Sequence, residues 1–186
     1  RASWEKYYLP RLTYQEERFS QAELDRLKAE QAKGNPIGLH CGSLCGRLRD
    51  YLGIVGLSYM VVDDEELLEE MFCTIGDLCL KSVQRTLDTG VSFDYAHFWE
   101  DVCYKNGPLL SPAMFEEYTA AYYKKITTLL HSYGIDTISV DCDGKVDALL
   151  PIWLENGVNT MFPIEVGTWD ASIAPWRERY GKAIKG

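Results

Sequence analysis

The chain has 186 residues, of which 46% are hydrophobic and 12% aromatic, and its 19 Lys and Arg against 28 Asp and Glu give a formal net charge of -9. This length and apolar content suffice for one packed core and are short for two domains. The negative charge disfavours broad attraction to nucleic acid or to anionic lipid, so an anionic ligand needs a local cationic pocket.

Neither a membrane span nor a secretory leader is predicted. No apolar run approaches the roughly 20 residues of a membrane-spanning helix, and the opening RASWEKYYLP lacks a basic-then-apolar pattern. We therefore expect a cytoplasmic protein without a membrane partner. The six cysteines form no CxxC pair and are expected to be reduced and mostly buried. Among the cysteines, only Cys41 and Cys45, beside His40 in the spacing HCxxxC, suit a metal, and a zinc site needs further ligands.

The chain begins with a predicted helical lead-in over residues 1–35, which is followed by strand-helix units of the same single domain over 36–186. In the lead-in, SQAELDRLKAEQAKG has a helix cap at Ser20 and a glycine stop at Gly34.

Four strand-loop-helix units are then predicted in succession. The strands are expected at 36–41, 93–100, 137–141 and 159–166. The helices that follow them are expected as a short helix within 42–53 and a long amphipathic helix within 63–90, then a helix capped by Ser111-Pro112, then 146–157 and 172–182. This repetition predicts an α/β fold with a parallel sheet and crossover helices.

Polar residues follow the carboxyl end of each predicted strand. They are His40, Glu100, Asp101, Asp141, Asp143 and Glu165. In parallel α/β proteins the ligand lies over these strand ends, so we expect a site there. No glycine-rich phosphate fingerprint follows a strand, which disfavours a dinucleotide-binding fold. A closed barrel needs about 250 residues, so four units predict a partial TIM (β/α)8 barrel, the middle of a larger one lacking both flanks.

Several of these residue types suit chemistry on a carboxylated ligand. If Glu100 and Asp101 both face a cavity, repulsion should raise one pKa and create a proton donor; the alternative is a salt-bridged strand end. Arg49 fits a carboxylate clamp or an ordinary surface arginine. Tyr104 and Lys105 lie in the loop after a strand, where residues are either functional or simply solvated.

Four stretches stand in a distinctive order over about residues 4–181: GSLCGRLRDYLG, DDEELLEEMF, FWEDVCYKNGPLLSP and SVDCDGKVDALLPIWLENGVNTMFPIEV. They resemble the uroporphyrinogen decarboxylase superfamily, which implies a (β/α)8 barrel that often dimerises. The decarboxylase branch implies cofactor-free loss of carbon dioxide from the acetate side chains of uroporphyrinogen III, giving coproporphyrinogen III. The other branch comprises corrinoid-dependent methyltransferases, in which zinc bound through His-x-Cys-Gly activates a thiol.

The resemblance also implies roles for particular residues. Tyr51 is the closest match to the decarboxylase's active-site tyrosine, and Trp99 and Asp101 fall on its pocket phenylalanine and serine. The methyltransferase zinc motif falls on residues 141–144, where Asp141 and Asp143 replace imidazole and thiolate and suit a harder cation. An aspartate at the serine position would repel a polycarboxylate unless a cation offset it.

We therefore expect a decarboxylase-like enzyme with a small carboxylated substrate or a tetrapyrrole and no cofactor. Methyl transfer with a divalent metal and a corrinoid partner is the alternative, and an incomplete, non-catalytic ligand-binding piece is another. The expected catalytic residues are Tyr51, Glu100 and Asp101. The expected binding residues are His40, Arg49, Trp99, Tyr104, Lys105, Asn106, Asp141, Asp143 and Glu165.

Overall fold

The computed structural model describes residues 1–185, so the last residue of the predicted domain, 186, lies outside it. The α-helices are α1 (Leu9–Leu12), α2 (Gln21–Ala32), α3 (Cys45–Asp63), α4 (Glu65–Leu87), α5 (Pro112–Ser132), α6 (Leu150–Glu155), α7 (Val166–Trp169) and α8 (Ile173–Tyr180). The β-strands are β1 (Gly38–Gly42), β2 (Tyr95–Trp99), β3 (Cys103–Tyr104), β4 (Gly107–Pro108), β5 (Ile138–Asp141) and β6 (Thr160–Phe162).

Four strands form one parallel sheet in the order β1-β2-β5-β6. Ala96 in β2 is in register with Leu39 in β1 and with Ile138 in β5, while Val140 in β5 is opposite Met161 in β6. The strands β3 and β4 form a separate antiparallel hairpin between β2 and α5. The mixed α/β class with a parallel sheet is thus confirmed.

Helices cover one face of this sheet and build the core. Ala96 and Phe98 of β2 are fully buried, and Phe98 packs edge-on against Tyr123 of α5, with ring centroids 5.0 Å apart. Phe72 of α4 stacks on Tyr118 of α5 at 4.7 Å. Each such side chain contributes about 1.5–3 kcal/mol through burial. The amphipathic faces of α4 and α5 therefore hold the helix layer on the sheet.

Two predicted helix caps are confirmed. The Ser20 hydroxyl accepts a hydrogen bond from the Glu23 N–H at 3.3 Å and opens α2. The Ser111 hydroxyl accepts the Met114 N–H at 3.3 Å and opens α5. Both side chains satisfy backbone donors that the first turn of a helix leaves free.

The predicted boundaries of the second and fourth strands are too wide. β2 covers Tyr95–Trp99 rather than 93–100, and β6 covers only Thr160–Phe162 rather than 159–166. Pro163 has no N–H to donate to a neighbouring strand, so the ladder stops before it. Val166 begins α7 instead of ending a strand.

The predicted short helix within 42–53 forms the first part of α3, and the helical segment that follows it was not predicted. α3 continues to Asp63, with a break at Gly53, where φ is +68°. Glycine adopts this left-handed conformation without a Cβ clash, so the chain bends there and resumes a helical path. Beyond the break, Val55 and Val62 are exposed. The apolar residues after Gly53 thus form a further helical segment, although the glycine interrupts the regular helix.

All six cysteines are free thiols. Cys73 is exposed and the other five are buried, which confirms the expectation that most cysteines are buried as small apolar residues. Within residues 1–185, no helix has both the length and the apolar character needed to cross a membrane.

Candidate functional site

Three carboxylates meet at the carboxyl ends of β2 and β5. Asp141 is the last residue of β5 and is in register with Trp99, the last residue of β2. Asp101 follows β2 and Asp143 follows β5, and one carboxylate oxygen from each of the three aspartates lies within 4.8 Å of the others. We call Asp101, Asp141 and Asp143 the acidic cluster. Adjacent parallel strands bring together residues that lie about 40 positions apart in the sequence.

The backbone at Asp101 turns its side chain toward the end of β5. Its φ is +50°, in the left-handed region that aspartate tolerates better than most residues. The Asp101 carbonyl accepts a hydrogen bond from the Arg49 guanidinium, and its Oδ1 accepts the Asp143 N–H at 3.1 Å. These two contacts fix the turn from both sides.

The three carboxylates of the acidic cluster repel one another, and the nearest cationic candidate, His97, has its Nε2 3.9 Å from Asp141 Oδ2. Desolvation raises the pKa of Asp141, and the nearby carboxylates of Asp101 and Asp143 raise it further. Desolvation also raises the pKa of Asp143, together with Asp101 and Glu165. Like charges at this separation disfavour full ionisation. A proton or a cation held among the oxygens would relieve the repulsion.

Glu165 lies beside the cluster and fixes the loop after β5. Its Oε2 accepts the Gly144 N–H at 2.5 Å and the Trp169 indole N–H at 3.2 Å. At Gly144, φ is +89°, and a Cβ would lie 2.7 Å from the Cys103 carbonyl group. Only glycine fits this close approach. Glu165 therefore supports the cluster, and its second oxygen accepts from the Thr168 hydroxyl.

Arg49 and Trp99 form the other side of the site. The Arg49 guanidinium lies 5.2 Å from the Trp99 ring centroid, and its Nη2 donates to Asp50 at 2.9 Å. A cavity of about 180 Å³ lies between Arg49, Asp101, Tyr104 and Asp143. A carboxylate ligand in this cavity would share the guanidinium with Asp50.

The predicted loop residues 104–106 form the β3–β4 hairpin. The Tyr104 carbonyl accepts the Lys145 N–H at 2.8 Å, which ties the hairpin to the loop after β5. Tyr104 lines the cavity, whereas the side chains of Lys105 and Asn106 are exposed and do not line it. Of these three residues, the structure brings only Tyr104 to the site.

Glu100 does not face the cavity with Asp101. It is fully buried, and its pKa is raised by desolvation, not by repulsion from Asp101; hydrogen bonds oppose that shift. Its carboxylate accepts hydrogen bonds from the backbone N–H groups of Leu44 (2.8 Å), Cys45 (2.9 Å) and Gly46 (2.8 Å) and from the hydroxyls of Tyr123 (2.6 Å) and Ser43 (3.3 Å). Its place inside the protein corrects the expectation of a proton donor at the mouth of the site.

Two other expected site residues lie elsewhere. The Tyr51 ring packs on Tyr8, with centroids 5.0 Å apart, and Tyr51 lines a different cavity together with His40. Residues 49 and 51 are two positions apart on α3, so their side chains point in nearly opposite directions. His40 is exposed, and its Nδ1 accepts the Gly42 N–H at 3.2 Å. Tyr51 therefore does not join Arg49 at the acidic cluster.

The HCxxxC spacing does not gather metal ligands. Within residues 1–185, the acidic cluster is the only group of three or more His, Cys, Asp or Glu side chains arranged to hold an ion. Burial raises the pKa of the Cys41 thiol to about 12 and that of Cys45 well above its usual value. Cys142 lies between Asp141 and Asp143 in the sequence, and its pKa is raised by a hydrogen bond with Cys103 and by desolvation. Neutral thiols are poor ligands for zinc.

The residues that hold Glu100 were not predicted. Tyr123 and Ser43 are 23 and 57 positions away in the sequence. Neither carries a local motif, because a hydroxyl partner of a distant carboxylate is specified only by packing.

The fold and the site define a mixed α/β protein whose parallel sheet carries an acidic cluster at its carboxyl edge. Comparison of the chain with protein-family models, with curated proteins and with solved structures finds no match.

Proposed function

We propose that this chain is an internal portion of a (β/α)8 barrel enzyme of the uroporphyrinogen decarboxylase superfamily, acting on a small carboxylated ligand. The strand order β1-β2-β5-β6 supports the barrel, because strands successive along the chain are neighbours and the order never reverses. Doubly wound sheets reverse their order at the ligand site, whereas barrels do not.

The observation that carries the proposal is the acidic cluster. Three carboxylates within 4.8 Å of one another form a hard oxygen donor set, which suits Mg²⁺, Mn²⁺ or Ca²⁺ better than zinc held by thiolates. The neutral state of Cys142 agrees with this preference. Asp101, Asp141 and Asp143 would hold the cation. When bound, it would supply positive charge for a ligand carboxylate or carbonyl oxygen.

The rest of the site orients the ligand. Arg49, whose guanidinium lies over the Trp99 ring, offers a planar guanidinium to a second carboxylate. Without a cation, desolvation and neighbouring carboxylates raise the pKa of Asp141 and of Asp143, so these two carboxyls are the candidates for a proton donor. These two states correspond to cation-assisted chemistry and to cofactor-free decarboxylation.

The corrinoid methyltransferase branch is the second candidate. Two of the clustered aspartates, Asp141 and Asp143, fall where the resemblance puts the zinc motif of that branch, so a metal site at this position would be kept with a harder cation in place of zinc. We also place the protein in the cytoplasm, because six free cysteines suit a reducing compartment.

The test is Mn²⁺ binding to the full-length protein, followed by calorimetry and by the paramagnetic signal of the free ion. We expect one site per chain in the wild type and a loss of at least about tenfold in affinity in Asp141→Asn. Asp25→Asn, on the exposed face of α2, is the matched control and should bind like the wild type. Absence of binding to the wild type would refute the cation site.

Decarboxylation is tested separately. Full-length protein is incubated with uroporphyrinogen III without oxygen, with EDTA or with Mn²⁺, and coproporphyrinogen III is measured. Product in EDTA would assign cofactor-free chemistry, and product only with Mn²⁺ would assign cation-assisted chemistry. No product under either condition would reject this substrate.

A further inference from the structure

A second cavity, of about 390 Å³, lies between the lead-in, the end of β1 and the helices α3 and α4. Its lining includes Arg18, His40, Arg47, Tyr51, Cys79 and Ser82, and we call this cavity the arginine pocket. It shares no lining residue with the cavity beside the acidic cluster. Arg47 and Tyr51 are four residues apart and so lie on one face of α3.

The charge of the arginine pocket is unusual for this chain. Two arginines and no acidic residue are among the residues that line it, although the whole protein has a net charge of -9. Among residues 1–185, neither Arg18 nor Arg47 forms an ion pair, whereas Arg49, Arg26 and Arg85 each have a carboxylate partner. The two charges therefore remain available to a ligand.

The remaining lining groups add no negative charge. Burial raises the pKa of the Cys41 and Cys79 thiols to about 12, so both are neutral at neutral pH. Desolvation raises the pKa of Tyr51, although the nearby Arg47 and Arg18 act to lower it. The Tyr51 hydroxyl is thus a hydrogen-bond donor that lies within the field of both arginines.

We infer that the arginine pocket binds a small dianion, either a phosphoryl group or a dicarboxylate. Two planar guanidinium forks match the paired oxygens of such a group, and the hydroxyls of Tyr51 and Ser82 can complete the contacts. The volume falls in the range of small-molecule sites, about 300–1,000 Å³. No residue of the acidic cluster lines the arginine pocket, so anion binding there does not depend on the proposed enzyme function.

The experiment is calorimetric titration of full-length protein with inorganic phosphate and, separately, with succinate. EDTA is present throughout, so that no anion binds through a cation at the acidic cluster. We expect saturable binding, weakened about ten- to a hundredfold by Arg47→Gln, because charge-assisted hydrogen bonds are lost. Tighter binding of phosphate would identify a phosphoryl ligand, and tighter binding of succinate a dicarboxylate.

Arg179→Gln is the control, since this arginine is exposed on α8 and has no carboxylate partner within residues 1–185. It should bind as the wild type does. Circular dichroism checks that each variant is folded, and Arg18→Gln, on the exposed lead-in, decides the question if Arg47→Gln unfolds. Absence of binding of both anions to the wild type at about 10 mM, or equal binding to folded arginine variants, would overturn the inference.

Discussion

Replacing Glu100 with glutamine tests how the end of β2 is joined to the start of α3. Glutamine has nearly the same volume as glutamate, because an NH2 group replaces one oxygen. The buried carboxylate nevertheless accepts five hydrogen bonds, and a carboxamide cannot accept all five. With the amide nitrogen at Oε1, the Leu44 N–H and the Tyr123 hydroxyl lose their acceptor. With the nitrogen at Oε2, the donors from Ser43, Cys45 and Gly46 lose theirs.

The magnitude follows from the number of donors left without a partner. A buried unsatisfied donor costs about 1–3 kcal/mol, so the loss of an acceptor for two such donors alone predicts a decrease of about 2–6 kcal/mol in the free energy of unfolding. Domains have about 5–15 kcal/mol in total, so Glu100→Gln should remain folded but clearly weakened. Tyr123→Phe removes one donor while the Leu44 N–H still donates to Oε1, and should cost about 1–2 kcal/mol.

The assay is urea unfolding of full-length protein followed by far-ultraviolet circular dichroism. We expect a lower midpoint with an unchanged slope for both variants, since the exposed area on unfolding stays the same. Two results would refute the view that this carboxylate holds α3 in place. One is a loss below about 0.5 kcal/mol in Glu100→Gln, and the other is a loss in Glu100→Gln that does not exceed the loss in Tyr123→Phe.

Two further predictions concern helix packing and pH. Gly76→Ala should lower the free energy of unfolding in urea by about 1–3 kcal/mol, because the added Cβ would lie 2.5 Å from the Tyr122 ring. Gly56→Ala is the control: the atom nearest to its added Cβ is 3.4 Å away, so its stability should lie within about 1 kcal/mol of the wild type. Equal losses in the two variants would contradict the packing argument. With EDTA present, the pKa values of Asp141 and Asp143 are higher in the native state than in the unfolded state, so the native state binds protons more tightly. The free energy of unfolding should therefore increase as the pH falls from the native pKa values toward the unfolded value of about 3.9. The difference between the wild type and a variant with both residues changed to asparagine measures this, and a difference that does not change with pH would contradict it.

The sequence predicted most elements through local rules. Helix caps at Ser20 and Ser111 were readable because a cap uses residues only three positions apart. The order of strands and helices followed from periodicity, and it led to the parallel sheet. Boundaries were less accurate, since the stop at Pro163 and the continuation past Gly53 depend on competing local preferences.

The candidate site was only partly predictable. The rule that ligand sites lie at the carboxyl ends of parallel strands correctly placed Asp101, Asp141 and Asp143 near one another, because neighbouring parallel strands align these ends. The same rule failed for Glu100, since adjacent residues on a strand point to opposite faces and the rule does not choose between them.

What the sequence by itself determined is therefore the element order, the caps and the acidic strand ends, all of which arise from short-range geometry. Tertiary structure alone decided that Glu100 turns inward to the first turn of α3 and that Arg18 and Arg47 share a cavity. Those relations join residues 29 to 54 positions apart. They depend on how helices pack on the sheet, and no local pattern encodes that packing.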